Sequence, residues 1–287
     1  MNKVYACIDG SANSAAVVDW SAWSSQRLDV PLELLHVLER HPQQPAASDF
    51  SGAIGLDTQA SLLEELSSLD EQRSKLAQEA GRLLLAEARK RAAAAGVARL
   101  DARLRHGELV DTVVEMEPDA RLFVLGEHRD AAASAALRLH LDHRVEQVIR
   151  AVKRPVLVVT RAEFKAPERF VLGWDGSPTA RTAVERVAAS PMLRGLTAVV
   201  VTAGSDETQA RNLMDEAHGT LADAGFAVET AFVRGDPEVV LPEAIKTQGA
   251  GLLVMGAYGH SRLRSLIMGS TTSAMLRASD VPVLILR

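Results

Sequence analysis

The sequence predicts two tandem doubly wound α/β domains (Rossmann-like), each a five-stranded parallel sheet with helices on both faces. Three observations carry that prediction. The chain is 287 residues long, and about one domain per 150 residues gives two. Five stretches recur in the same order in its two halves, the mark of a duplicated unit. Within each copy, short runs of Val, Ile and Leu bounded by Gly, Asp or Pro alternate with Ala-rich segments of helical spacing. That alternation implies parallel strands joined by right-handed helical crossovers.

The elements follow in order. "KVYACIDGSANSA" from Lys3 matches "RFVLGWDGSPTARTA" from Arg169, an apolar strand ending in Asp-Gly-Ser. "LELLHV" ending at Val37 matches "TAVVVTA" ending at Ala203, and both are second strands. In the first copy a Pro/Gly/Ser-containing insert at 41–55, expected to be a mobile loop, precedes a long helix from Ser61 with apolar residues at i, i+3 and i+4. Its counterpart "TQARNLMDEAHGTLADAG" is shorter. "LRHGELVDTVVEM" from Leu104 matches "FVRGDPEVVLPEA" from Phe232; "DARLFVLG" ending at Gly126 matches "GAGLLVMG" ending at Gly256; "RPVLVVTR" matches "VPVLILR". The junction "AEFKAPE" at 162–168 is short and polar, a linker. The domains are therefore 1–161 and 169–287.

Composition narrows the function classes. A net charge of −5 speaks against a general nucleic-acid binder, and no apolar run approaches the ~20 residues of a membrane span. The single cysteine, Cys7, lies in the apolar run 4–8 and reads as a buried structural thiol. One cysteine and no signal-peptide pattern lead to the expectation of a cytoplasmic protein.

The chemistry concentrates in "VMGAYGHSRLRSLIMGSTTSAML", 254–276. Ligands of open α/β sheets bind beyond the carboxyl ends of strands where the strand order reverses. Gly256 follows the fourth strand of the second copy and Asp175 its first, so neighbouring strands would bring both to one crevice. Glycine at a strand exit permits close backbone approach and positive φ. Gly269-Ser270-Thr271 opens a helix whose unpaired N–H groups and dipole attract an anion, and hydroxyls there cap the helix or meet phosphate. Asp175 suits ribose hydroxyls, while His260, Arg262 and Arg264 add donors. The stretch is neither a P-loop nor a G-x-G-x-x-G fingerprint.

These residues resemble the universal stress protein family, whose nucleotide-binding members carry Gly, two residues, Gly, nine residues, then Gly followed by Ser or Thr. Gly256, Gly259, Gly269 and Ser270 have that spacing, and the resemblance covers essentially the whole chain. It implies ATP with Mg²⁺ in the crevice: Asp175 on ribose, the backbone of Ala203 on adenine, Met255 and Gly235 lining the wall, and the glycine loop with Ser270 and Thr271 on the phosphates. It implies antiparallel pairing of the last strands, Val156–Val159 and Val283–Leu286, which would cover two sheet edges. It leaves room for a homodimer and for protein partners that the sequence does not name.

The first copy departs from the pattern. Asp9 and Gly126 remain, but Arg129 stands near the place of the second glycine. Alignment through Pro155 and Pro282 sets Asp142, His143 and Arg144 opposite Gly269, Ser270 and Thr271. An aspartate at the helix entry would repel phosphate. His106, His128, His140 and His143 gather around this crevice with chemistry for a metal or an anion, but spacing fixes no ligand geometry, and the reading kept is a structural partner without nucleotide. No Ser-His-Asp or Cys-His arrangement points to catalysis; Asp236 and Glu238 read as a helix N-terminal turn. The leading expectation is an ATP-binding regulatory stress protein. A slow ATPase or phosphate- or adenylyl-transferring enzyme, and a nucleotide-free scaffold, are the alternatives.

Overall fold

The computed structural model describes residues 2–39, 56–127, 143–256 and 270–287. The insert 41–55 and the glycine-loop residues Gly259 and Gly269 lie outside them.

The first half runs β1 (Lys3–Cys7), α1 (Ser14–Leu28), β2 (Leu32–Leu38), α2 (Leu56–Ala94), β3 (Leu100–His106), α3 (Leu109–Met116), β4 (Ala120–Gly126), α4 (His143–Ala151) and β5 (Val156–Val159). The second repeats it as β6 (Arg169–Gly173), α5 (Pro178–Ala189), β7 (Thr197–Gly204), α6 (Glu207–Asp223), β8 (Ala227–Arg234), α7 (Pro237–Thr247), β9 (Leu252–Gly256), α8 (Ser270–Ala278) and β10 (Val283–Leu286). Three pairs of glycines at matching positions share positive φ: Gly10 and Gly176 (82° and 68°), Gly96 and Gly225 (both 86°), Gly107 and Gly235 (132° and 137°). The duplication therefore reaches the backbone turns that only glycine adopts at little cost.

Each half is a parallel five-stranded sheet, and the two join into one. The strand order β3-β2-β1-β4-β5-β10-β9-β6-β7-β8 is palindromic about a single antiparallel seam, where Val283, Leu284 and Ile285 of β10 face Val158, Leu157 and Val156 of β5. Both seam strands are fully buried. The outer edges β3 and β8 are largely exposed and carry Asp101, Arg103 and Arg105, and Glu229 and Arg234. Charged side chains on an edge discourage further strand pairing.

Alternation along the strands divides the core into two layers. Val4, Ala6, Phe170 and Leu172 pack under α1, α2, α5 and α6; Tyr5, Cys7, Val171 and Met255 pack under α3, α4, α7 and α8. The junction is anchored at both ends. Phe164 sets its ring edge-on to Trp20, centroids 5.1 Å apart, and buried Pro167 lies against Gly251. Arg27 of α1 donates from Nε to the carbonyl of Met192 (2.9 Å) and from its guanidinium to that of Arg194, tying the halves together.

The long helix departs from its sequence reading. Its i, i+3, i+4 spacing predicts a face laid on the sheet, yet residues 65–77 are exposed all round, and burial begins only at Gly81, Leu85, Ala88 and Ala92. With 39 residues, α2 is more than twice the length of its 17-residue counterpart α6, so it overshoots the strands it covers. Among the described residues no helix is long and apolar enough to cross a membrane.

Candidate functional site

The second half reverses direction between β6 and β9. Chain order leads from β6 outward to β7 and β8, then back to β9 on the other side of β6. The ladder pairs Phe170 with Leu252 and Leu172 with Val254, so the exits toward Asp175 and Gly256 stand side by side at the switch point.

Local chemistry fixes the β6 exit. The Asp175 side chain is exposed and its Oδ1 accepts the Ser177 N–H at 2.9 Å, an Asx turn that Gly176 completes with φ of 68°. Ser177 then caps α5: its Oγ accepts the Ala180 N–H (3.2 Å), with Pro178 as the first helical residue. Trp174 is buried and donates from Nε1 to the Leu213 carbonyl at 2.8 Å, pinning the turn to α6. Beside it, Arg181 and Glu216 form a bidentate pair (2.6 and 2.9 Å) between α5 and α6. The hydrogen bond to Glu216 raises the Arg181 pKa and lowers that of Glu216.

Gly256 has a different physical reason from the one expected. Its φ is not positive. A Cβ there would lie 2.6 Å from the carbonyl oxygen of Thr179 and 3.1 Å from the Ala180 nitrogen. The first turn of α5 presses on the strand end, so glycine is required for helix–strand packing.

Ala203, half-buried, is the penultimate residue of β7, level with Val233, and Gly235 donates its N–H to the Gly204 carbonyl (3.3 Å) at φ of 137°. Met255 is buried in the layer under α7 and α8, level with Ile285. Helix α8 begins at Ser270, the expected entry; the side chains of Ser270 and Thr271, like Gly259 and Gly269, lie outside the described residues. Asp236 and Glu238 occupy the N-cap and first turn of α7.

The first half shows the same positions converging. Asp9, Val37, Leu125 and Gly126, the counterparts of Asp175, Ala203, Met255 and Gly256, line one cavity of ≈ 40 Å³ together with Cys7, Glu39 and Arg144. Ligand pockets run to several hundred Å³, so this cavity is far smaller than they are. Larger side chains fill it: Cys7 for Gly173, Val37 for Ala203 and Arg144 for Thr271. Arg144 pairs with Glu39 at 2.8 Å, and Glu39 Oε1 also accepts the Leu109 N–H (3.4 Å) at the start of α3. The chain thus supplies its own anion where a helix N-terminus offers donors. Sequence reading missed Glu39; the signal was an acidic residue directly after β2, where the second copy has Ser205. Burial, helped by Asp9, pushes the Cys7 thiol up to about 12. His106 is exposed at the end of β3; His128, His140, Arg129 and Asp142 lie outside the described residues, as does the His143 side chain.

Comparison with known proteins agrees with this duplication. The family model described as the universal stress protein family matches twice, over residues 1–160 and 167–287. The chain belongs to the universal stress protein family. Universal stress protein Slr1230 of Synechocystis is 31% identical over all of both chains. Universal stress protein Rv1996 of Mycobacterium tuberculosis is 25% identical over 98% of this chain and 93% of its own. A crystal structure of a universal stress protein from Archaeoglobus fulgidus superposes with a TM-score of 0.71 at 20% identity, covering 100% of this chain and 98% of that one. These relatives match this chain over nearly the whole length of both, and the Archaeoglobus structure shares its fold.

Proposed function

We propose that this universal stress protein is an ATP-binding regulatory protein of the stress response, with one nucleotide, accompanied by Mg²⁺, in the crevice of its second half. The observation that carries the reading is the pairing of the Gly256, Gly259, Gly269, Ser270 pattern with an exposed Asp175 carboxylate at the neighbouring strand exit. The residues suit the group. Asp175, held by Ser177, accepts ribose hydroxyls; the Ala203 backbone meets adenine, with Gly235 and Met255 as walls. The backbone at Gly259 and Gly269, the Ser270 and Thr271 hydroxyls and the start of α8 receive the phosphates. Mg²⁺ supplies charge neutralisation between phosphate oxygens. Nucleotide occupancy then alters the surface offered to a protein partner. The reading includes a reducing, cytoplasmic setting and two units at 1–161 and 169–287.

Calorimetry tests this with ATP and Mg²⁺ against the 2′,3′-dideoxy analogue. Binding at one site per chain is expected, and abolition by Gly259→Arg. Asp175→Ala should weaken ATP about 10- to 100-fold, the loss of a charged hydrogen-bond acceptor worth roughly 1.5–3 kcal/mol, while barely changing the dideoxy compound. Equal loss for both ligands refutes the ribose role. Absence of heat with every adenine nucleotide refutes the function.

A further inference from the structure

We propose that the projecting part of α2 is a self-association surface that pairs antiparallel with α2 of a second copy of this chain. Residues 65–77 touch nothing else among the described residues closely enough to be buried on any side. They carry apolar side chains that water should not keep: Leu66, Leu69 and Leu76 are 42%, 45% and 67% exposed, and Leu83 just beyond them is 67% exposed. Leu62, Leu69, Leu76 and Leu83 recur every seven residues, and Leu66 and Ala80 stand four residues after two of them. Seven residues fall just short of two helical turns, so the leucines form one stripe, the seam of a coiled coil. Most helical stability in proteins comes from packing an apolar face, and this stripe is exposed among the described residues.

Charge selects the partner and its direction. Between 56 and 71 the chain has Asp57, Glu64, Glu65, Asp70 and Glu71 and no basic residue; between 72 and 83 it has Arg73, Lys75 and Arg82 against one acid, Glu79. A parallel pair would lay acid on acid. An antiparallel pair with Leu69 level with Leu76 of the second copy sets residues 62–71 of each helix level with 74–83 of the other, which carry Lys75 and Arg82 against Glu79. Asp70 is then level with Lys75, whose exposed ammonium also pairs with Glu71 of its own helix at 2.7 Å. The arrangement has two-fold symmetry, which closes at a dimer. It is independent of nucleotide binding.

The test uses the full chain and measures molar mass by light scattering across a dilution series. The wild type should show dimer at high concentration. Leu69→Gln with Leu76→Gln, both at exposed positions, should weaken dimerisation at least 10-fold without changing the thermal midpoint of the monomer. One variant carries Glu64→Lys, Glu65→Lys, Asp70→Lys and Glu71→Lys. A second carries Arg73→Glu, Lys75→Glu and Arg82→Glu. Each alone should be monomeric, and an equimolar mixture should recover a heterodimer. A monomeric wild type at all concentrations overturns the proposal. So does a dimer indifferent to the leucine substitutions, or a failure of the mixed variants to associate.

Discussion

Gly256→Ala tests whether the end of β9 is glycine for packing, and Gly126→Ala in the first half is its built-in control. An added Cβ at 256 would sit 2.6 Å from the Thr179 carbonyl oxygen, 2.7 Å from its carbon and 3.1 Å from the Ala180 nitrogen. Non-bonded carbon atoms settle at about 3.5–4.0 Å, so the strand and the first turn of α5 must part by about 1 Å. The obstacle is backbone and cannot rotate away. Overpacking costs about 1–3 kcal/mol, and a rigid obstacle argues for about 3. At about 2–4 °C per kcal/mol for a domain of this size, the thermal midpoint should fall by about 6–12 °C. At 126 the nearest atoms are Asn13 Cβ and Val17 Cγ2, both 3.2 Å away; a shift of a few tenths of an ångström relieves both, for about 1 kcal/mol, the low end of overpacking. Circular dichroism melts and urea midpoints on both variants decide the matter. If the halves melt separately, only the transition of the second should move. Equal shifts in the two variants, or no shift for Gly256→Ala, would refute the packing argument.

Further outcomes follow from the same geometry. Arg287 donates from Nη1 to the carbonyls of Ile149, Arg150 and Val152 (3.1, 3.0 and 2.6 Å). A cation thus caps the end of α4 from the other half, and Arg287→Ala should cost about 1–2 kcal/mol in urea unfolding, partly restored in Arg287→Lys. Cys7 should resist a thiol reagent at pH 8 until the protein is unfolded, since its folded thiol holds its proton to about 12. The unfolded thiol releases its proton near 9.0, so the unfolded state gains relative to the folded one as pH rises between these values. Stability should fall across that window by up to about 1.4 kcal/mol per pH unit, and urea titrations of Cys7→Ala at pH 8 and pH 10 should show the smaller fall.

The strands were legible because each is a near-continuous apolar run with a Gly or Asp at its exit, and because the repeat supplied every element twice. The crevice was legible in outline for the same reason: Asp175 and Gly256 end adjacent strands. What the sequence did not carry was contact between distant residues. Gly256 reads equally well as a turn glycine or a packing glycine until Thr179 is seen beside it. "AEFKAPE" reads as a polar linker, yet its one aromatic residue, Phe164, seats on Trp20. The helical spacing in α2 could not reveal that the sheet ends before the helix does. Glu39 lay hidden because its partners, Arg144 and the Leu109 N–H, are 105 and 70 residues away.

That arrangement bears on how the two duplicated units differ at their strand exits. The β1, β4 and α4 ends of the first half retain the geometry of the switch point, down to Asp9 Oδ1 accepting the Ser11 N–H at 2.9 Å as Asp175 accepts that of Ser177. Opening a crevice leaves helix N-termini whose N–H groups turn to water, to a bound anion or to the chain itself. In the first half Glu39 takes that role, neutralised by Arg144 at 2.8 Å. Its cavity of ≈ 40 Å³ can therefore stay intact whatever the nucleotide supply. The second half has the uncharged Ser205 and Thr271 at those two positions, and the acids at the start of its α7 are Asp236 and Glu238. If the second half binds nucleotide as proposed, its thermal midpoint should rise with nucleotide concentration, and the β5–β10 seam joins it to a half in which Glu39 and Arg144 already supply both charges.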